Sequence, residues 1–257
     1  MARRVKAVSH EDRLTLVEHL DELRARLIVC IAVFGVALAL CFWQNHLLLE
    51  IASGPLPSDH KKLLTFGITE PFTVTLTVSV YGALILSMPI LLYQAYAYVL
   101  PAFSDRERRV VLPILIFAPA LFLAGVAFAY FVVMPAATKF LLNFNDNQFN
   151  VQVRARDYYS FFSTTMLAGG VVFQLPLAIL AVVRLGIVSV AQLTKNRRYA
   201  YLIIAIAAAA LPGVDPVSML IEMVPLLLLF ELSILIARAF GTPKEAGGMA
   251  RPSTQER

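Results

Sequence analysis

Residues Phe72–Leu100 read FTVTLTVSVYGALILSMPILLYQAYAYVL, 29 residues without a single Asp, Glu, Lys or Arg. A helix rises about 1.5 Å per residue, and about 20 apolar residues cross a hydrocarbon core of about 30 Å. This run is long enough to span a membrane, and it does not stand alone. Leu27–Trp43, Val110–Met134 and Tyr158–Val183 are equally free of formal charge. Beyond Arg184 the pattern shortens: Tyr199–Leu211 is apolar for only 13 residues. That is about 20 Å of helix, less than the membrane thickness. Pro212, Gly213, Val214, Asp215 and Pro216 then form a tight turn, and Val217–Ala237 follows, interrupted by Glu222 and Glu231. The terminal pair reads as a short hairpin that thins the bilayer locally. Its turn must be tight, because irregular backbone exposed to lipid leaves amides unsatisfied.

The composition agrees. Of 257 residues, 59% are apolar and 15% charged, with a mean hydropathy of +0.73. A soluble domain carries about 25% charged residues. The fold expected is an all-α integral membrane protein with six transmembrane helices, the last two short. No small-residue cleavage signal ends the first apolar block, so that block is expected to remain in the mature protein.

Six spans place both termini on one side, and the distribution of cations says which. With the amino terminus inside, 17 Lys and Arg fall on inner segments, and Lys61, Lys62, Lys139, Arg154 and Arg156 remain outside. The net charge of +5 is thus an orientation signal and not a nucleic-acid footprint. The expected organisation is an amphipathic cytoplasmic helix over 1–26, a transmembrane domain over 27–240 and a disordered cytoplasmic tail over 241–257. The location is the cytoplasmic (inner) membrane, and outer loops cover about 44–71 and 135–157.

Enzyme chemistry is not expected. His10, His19, His46 and His60 all lie outside the apolar blocks, and no zinc-protease, nucleophile-elbow or phosphate-loop motif occurs. Cys30 and Cys41 are eleven residues apart on one helix, too distant to bridge each other. No metal or cofactor is implied.

Two segments at the inner face carry unexpected acid. Leu16, Leu20, Leu23 and Leu27 form an apolar stripe at spacings of 4, 3 and 4. Glu18, Asp21, Glu22, Arg24 and Arg26 cover the other faces. One reading is an interfacial helix steadied by a Glu22–Arg26 pair. The other is that the acidic residues between Glu11 and Glu22 attract a cationic ligand. Between the second and third spans, Pro101 breaks the helix, Tyr93, Tyr96 and Tyr98 suit headgroup depth, and Asp105 and Glu107 stand among arginines.

These segments resemble the TatC family, the multispanning subunit of the twin-arginine protein translocase. His19-Leu-Asp-Glu-Leu-Arg-Ala-Arg-Leu27 is similar to the family's amino-terminal signature. Pro89-Ile-Leu-Leu-Tyr-Gln94, Pro101-Ala-Phe103 and Arg106-Glu-Arg-Arg109 resemble its first cytoplasmic loop. Gly170-Val-Val-Phe-Gln-Leu-Pro176 and Pro225-Leu-Leu-Leu-Leu-Phe-Glu231 resemble its fourth- and sixth-span motifs. The resemblance runs from about Leu14 to Ala237 and implies a cup-shaped six-helix receptor. Such a receptor binds twin-arginine signal peptides and exports folded proteins using the proton-motive force. The implied partners are TatA- and TatB-type single-span proteins, the bilayer and further copies of the chain.

Carried over residue by residue, the resemblance makes Glu22 and Glu107 the carboxylates that engage the signal's arginine pair. Arg24 and Arg108 are neighbouring motif residues, and Tyr98 is an aromatic beside them. Gln174 stands where the family often has glutamate, which favours a dipolar docking role over proton relay. Thr77 stands where a basic residue is expected, which argues against ion pairing at the outer end of the second span. Glu222 and Glu231 are nine residues apart and face opposite sides of their helix. Glu222 is expected to be solvated near the outer interface. Glu231, deeper, is expected either to take a polar contact in the concave core or with a neighbouring subunit, or simply to snorkel near the inner face. The runner-up function is an ion-coupled small-solute secondary transporter, against which the lack of an internal repeat counts.

Overall fold

The computed structural model describes residues 10–58, 62–99, 105–144, 147–148, 151–184, 188–210 and 216–240. The side chains of residues 10–18, 99, 105–115, 184, 210, 218 and 239–240 fall outside that description. The helices in order are α1 (His10–Trp43), α2 (Asn45–Ser53), α3 (Glu70–Val99), α4 (Asp105–Phe128), α5 (Met134–Asn143), α6 (Ala155–Val172), α7 (Leu175–Arg184), α8 (Val190–Lys195), α9 (Arg197–Ala210) and α10 (Pro216–Phe240). A π-helical stretch, Ala129–Val133, joins α4 to α5. The turn expected at 211–215 and the tail at 241–257 lie outside the described residues.

Among the described residues, five helical stretches are long and apolar enough to cross a membrane: His19–Trp43, Glu70–Tyr98, Ile116–Asn143, Ala155–Val183 and Met219–Arg238. The sixth expected span is α9, whose 14 residues cover about 21 Å of helix. Its partner α10 is longer than its apolar block and runs 25 residues through Pro225. Proline is tolerated inside a membrane helix where neighbouring helices and local adjustments satisfy the freed carbonyl.

Three sequence boundaries shift. The amphipathic segment and the first span form one continuous rod, α1, 34 residues long. The third span does not end at Met134 but continues to Asn143. Pro135 falls in the range expected as an outer loop, yet it lies in the first turn of α5, directly after the π-helical stretch, and the helix runs on past it. The fourth span is broken at Phe173 and Gln174, with Pro176 in the first turn of the second piece.

Contacts fix the directions. His19 of α1 stacks on Tyr98 near the end of α3, ring centroids 4.3 Å apart, so these two helices run antiparallel. Glu70 at the start of α3 pairs with Arg154 just ahead of α6, so α3 and α6 run parallel. The bundle therefore has an amino-terminal end, marked by His19 and Tyr98, and an opposite end, marked by Glu70 and Arg154. At the opposite end the two long loops are stitched together. Leu64 N–H donates to the Val153 carbonyl at 3.0 Å, and Ala155 N–H donates to the Leu64 carbonyl at 2.8 Å.

Among the described residues, two of the buried clusters are the largest. Ala52, Leu56, Ala129, Met134, Tyr158, Phe162 and Met166 pack beneath the stitched loops, where the Tyr158 hydroxyl donates to the Ala52 carbonyl at 2.7 Å. Ile204, Ala208, Leu226, Phe230 and Ile234 join α9 to α10. Leu20, Leu23, Leu27, Ile31 and Val36 lie exposed along α1. Leu20, Leu23 and Leu27 of the apolar stripe read from the sequence thus face outward, as a lipid-facing surface does and a soluble helix does not.

Candidate functional site

At the amino-terminal end, α1 and α3 bring a small polar cluster together. Arg26 donates from Nε to Glu22 Oε1 at 2.9 Å, and from Nη1 to Gln94 Oε1 of α3 at 2.9 Å. The i,i+4 pair read from the sequence is therefore formed, and it is extended to a second helix. His19 Nδ1 lies 3.6 Å from the other Glu22 oxygen while its ring stacks on Tyr98. Glu22, about one third exposed, thus keeps an open side and is held in place by both neighbours. Arg24 projects outward and is exposed. Glu107 and Arg108 belong to the first turn of α4, and their side chains lie outside the described residues.

The sequence reading named Glu22 and Tyr98 but passed over His19, Arg26 and Gln94 as site members. The signal for His19 and Gln94 was there in the quoted motifs. What was missing was the antiparallel register that places residue 94 beside residue 26.

Deeper in the bundle, Gln174 occupies the break between α6 and α7 and is buried, 9% exposed. Its Nε2 donates to the Ala118 carbonyl of α4 at 3.2 Å, and it accepts from the Tyr96 hydroxyl of α3 at 3.3 Å. One neutral amide thus ties three helices at the point where a backbone turn interrupts the fourth span. Because an amide does not ionise, no proton can be carried there.

Glu231 of α10 is paired inside the chain: Arg197 Nη2 lies 2.9 Å from its Oε2, and the Tyr201 hydroxyl donates to Oε1. Both partners come from α9. Glu222 is a correction. It is not solvated at an interface but buried, 8% exposed, on the side of α10 that faces Ala168 and Gly169 of α6. The two glutamates do face different neighbours, as their spacing requires.

Ion pairing at the end of α3 is the second correction. Thr77 carries no charge, but Glu70 supplies the acid and Arg154 the base, with Nε to Oε1 at 2.8 Å. Between α1, α2, α3, α4 and α6 lies an apolar concavity of about 560 Å³, walled by Leu48, Tyr81, Ile85, Val126, Phe162 and Met166 among others. Cys30 and Cys41 are both free thiols.

This set of helices, with its broken fourth span and paired α9 and α10, has known counterparts. A family model described as "TatC: Sec-independent protein translocase protein (TatC)" matches residues 18–225. The chain belongs to the TatC family. Curated TatC relatives include one from Desulforapulum autotrophicum, 35% identical over 239 residues, covering 92% of this chain and 88% of the relative. One from Carboxydothermus hydrogenoformans is 36% identical over 240 residues, covering 93% and 98%. The Escherichia coli K12 TatC is 35% identical over 238 residues, covering 91% and 92%. Among solved structures, one titled "Crystal Structure of Twin Arginine Translocase Receptor- TatC" superposes with a TM-score of 0.75 at 30% identity, covering 87% of this chain and all of that one. TatC is a family of multi-pass protein-translocase components and not of enzymes.

Proposed function

We propose that this chain is the receptor and core subunit of a twin-arginine translocase in the inner membrane. It binds twin-arginine signal peptides at its cytoplasmic face and, with TatA- and TatB-type partners and further copies of itself, exports folded proteins using the proton-motive force. The observation that carries this reading is the Glu22 cluster. A carboxylate already chosen by a guanidinium, steadied by His19 and open on one side, has the geometry that a visiting arginine needs. Glu107 is the second carboxylate of this proposal, with Arg24, Arg108 and Tyr98 shaping the surroundings. Gln174 and Glu231 serve as intramembrane polar fasteners for assembly. The break between α6 and α7 is the kind of discontinuity an ion-coupled transporter uses, but its polar residue is a non-ionisable Gln.

The test is binding of a synthetic twin-arginine signal peptide carrying a photoactivatable group to the purified full chain. Crosslinks are expected beside Glu22 and Glu107. Glu22→Lys and Glu107→Lys each weaken binding by at least about tenfold, since a charge-assisted pair is replaced by a repulsion. Equal binding of a twin-lysine peptide, or indifference to both reversals, overturns the assignment.

A further inference from the structure

At the opposite end of the bundle, far from the Glu22 cluster, an open polar cleft of about 460 Å³ lies between the first turns of α3 and α6. Its walls include Glu70, Thr77, Arg154, Arg156, Tyr159 and Ser160. Glu70 is fully engaged. Its two oxygens accept four hydrogen bonds, from Arg154 Nε at 2.8 Å and Nη2 at 3.2 Å, and from the backbone N–H groups of Phe66 at 2.9 Å and Gly67 at 3.2 Å. Three of these fall on Oε2 and one on Oε1, and the bidentate Arg154 pair largely neutralises the carboxylate, which lessens its pull on a cation entering the cleft. The donors that remain are Arg154 Nη1, the exposed Arg156 guanidinium and the hydroxyls of Tyr159 and Ser160. Asp157, exposed beside them, also faces Arg154 and offsets part of the positive charge. The donor set suits a singly charged anion.

The neighbouring surface is apolar. Ile68 is fully exposed, and Phe66 and Phe72 are largely so; the Arg154 guanidinium sits 5.6 Å from the Phe66 ring. A ligand bound here meets polar donors at one end and an apolar flank at the other. Placement adds a second argument. In the orientation proposed above, this end faces outward, where only five cations occur, and two of them line this cleft. Arg154 already has Glu70 as its partner, which leaves the Arg156 guanidinium as the charge a ligand entering the cleft would meet.

We infer that the cleft holds the phosphate group of an outer-leaflet phospholipid, with Arg156 and Arg154 as its charged contacts and the acyl chains lying along Phe72. This site is independent of the signal-peptide reading and can fail or stand without it. The experiment is native mass spectrometry of the full-length protein in a delipidating detergent, titrated with dioctanoyl phosphatidylglycerol, with dioctanoylglycerol and with inorganic phosphate. Phosphatidylglycerol is expected to bind, and Arg156→Gln to weaken it by about tenfold, while Lys139→Gln leaves it unchanged. Arg156 is exposed and makes no part of the Glu70 clasp, so its replacement spares the fold; Ser160→Ala, expected to weaken binding less, is the second variant. Equal binding by wild type and Arg156→Gln overturns the site. Equal binding of dioctanoylglycerol removes the phosphate from the account. Inorganic phosphate binding as tightly as the lipid overturns the lipid assignment in favour of a soluble anion.

Discussion

Gln174 holds Tyr96 and Ala118 from two other helices with one side-chain amide. Gln174→Leu removes the bond to the Ala118 carbonyl, which keeps its place in the α4 ladder, and leaves the half-buried Tyr96 hydroxyl without this partner, a cost of about 1–3 kcal/mol. We expect that variant to melt earlier in detergent and to impair transport or partner assembly, with Gln174→Glu impaired less because it keeps an acceptor for Tyr96. Full activity and unchanged melting of the Leu variant would reduce Gln174 to packing. At the opposite end, Glu70→Gln should lower the melting temperature, and Thr77→Lys, which restores the expected base, should not replace Arg154. The sequence marked Gln174 by its closeness to Pro176 but could not name its partners, 78 and 56 residues away along the chain. It erred at Thr77 for a related reason: the missing base is supplied from another loop, and a single-position comparison does not see a partner 84 residues distant.

Among the elements, the tightest crossing is between α4 and α6. A Cβ added to Gly125 would lie 2.4 Å from the Gly169 carbonyl oxygen, and one added to Gly169 would lie 2.8 Å from the Ala129 Cβ. Backbone meets backbone, as small residues allow between membrane helices. Gly125→Val is therefore expected to destabilise the fold by about 1–3 kcal/mol or more, read as earlier thermal unfolding and faster proteolysis. Gly35→Ala, which meets nothing within 4 Å, serves as the tolerated control. The apolar runs were legible as helices because length and the absence of charge decide that question. The π-helical stretch at Ala129–Val133 was not, since a shift of hydrogen-bond register leaves no compositional trace. Nor was the continuation past Pro135, because a proline read from sequence suggests a helix boundary and nothing in the composition announced the π-helical stretch ahead of it.

For the molecule as a whole, the amino-terminal end is expected inside and the opposite end outside. In a background with Cys30 and Cys41 replaced by Ser, Lys62→Cys should react with a membrane-impermeant maleimide in intact cells, and Lys195→Cys only after permeabilisation. The reverse pattern would invert the orientation and remove the proposed receptor face from newly made clients. The span count and its orientation came from arithmetic on charge and hydropathy; the concave shape was implied by the family resemblance, not by the composition.

One consequence follows from the single long rod of α1. Its main helical neighbour among the described residues is α3, much of its remaining surface is open to acyl chains, and its register near Glu22 rests on the Arg26–Gln94 and His19–Tyr98 contacts. A stiff rod braced mainly along one flank takes its lean from the solvent around it. Lengthening the lipid tails of a reconstituted bilayer should therefore rotate the Glu22 end relative to the rest of the molecule, making affinity at the proposed signal-peptide site a reporter of membrane thickness.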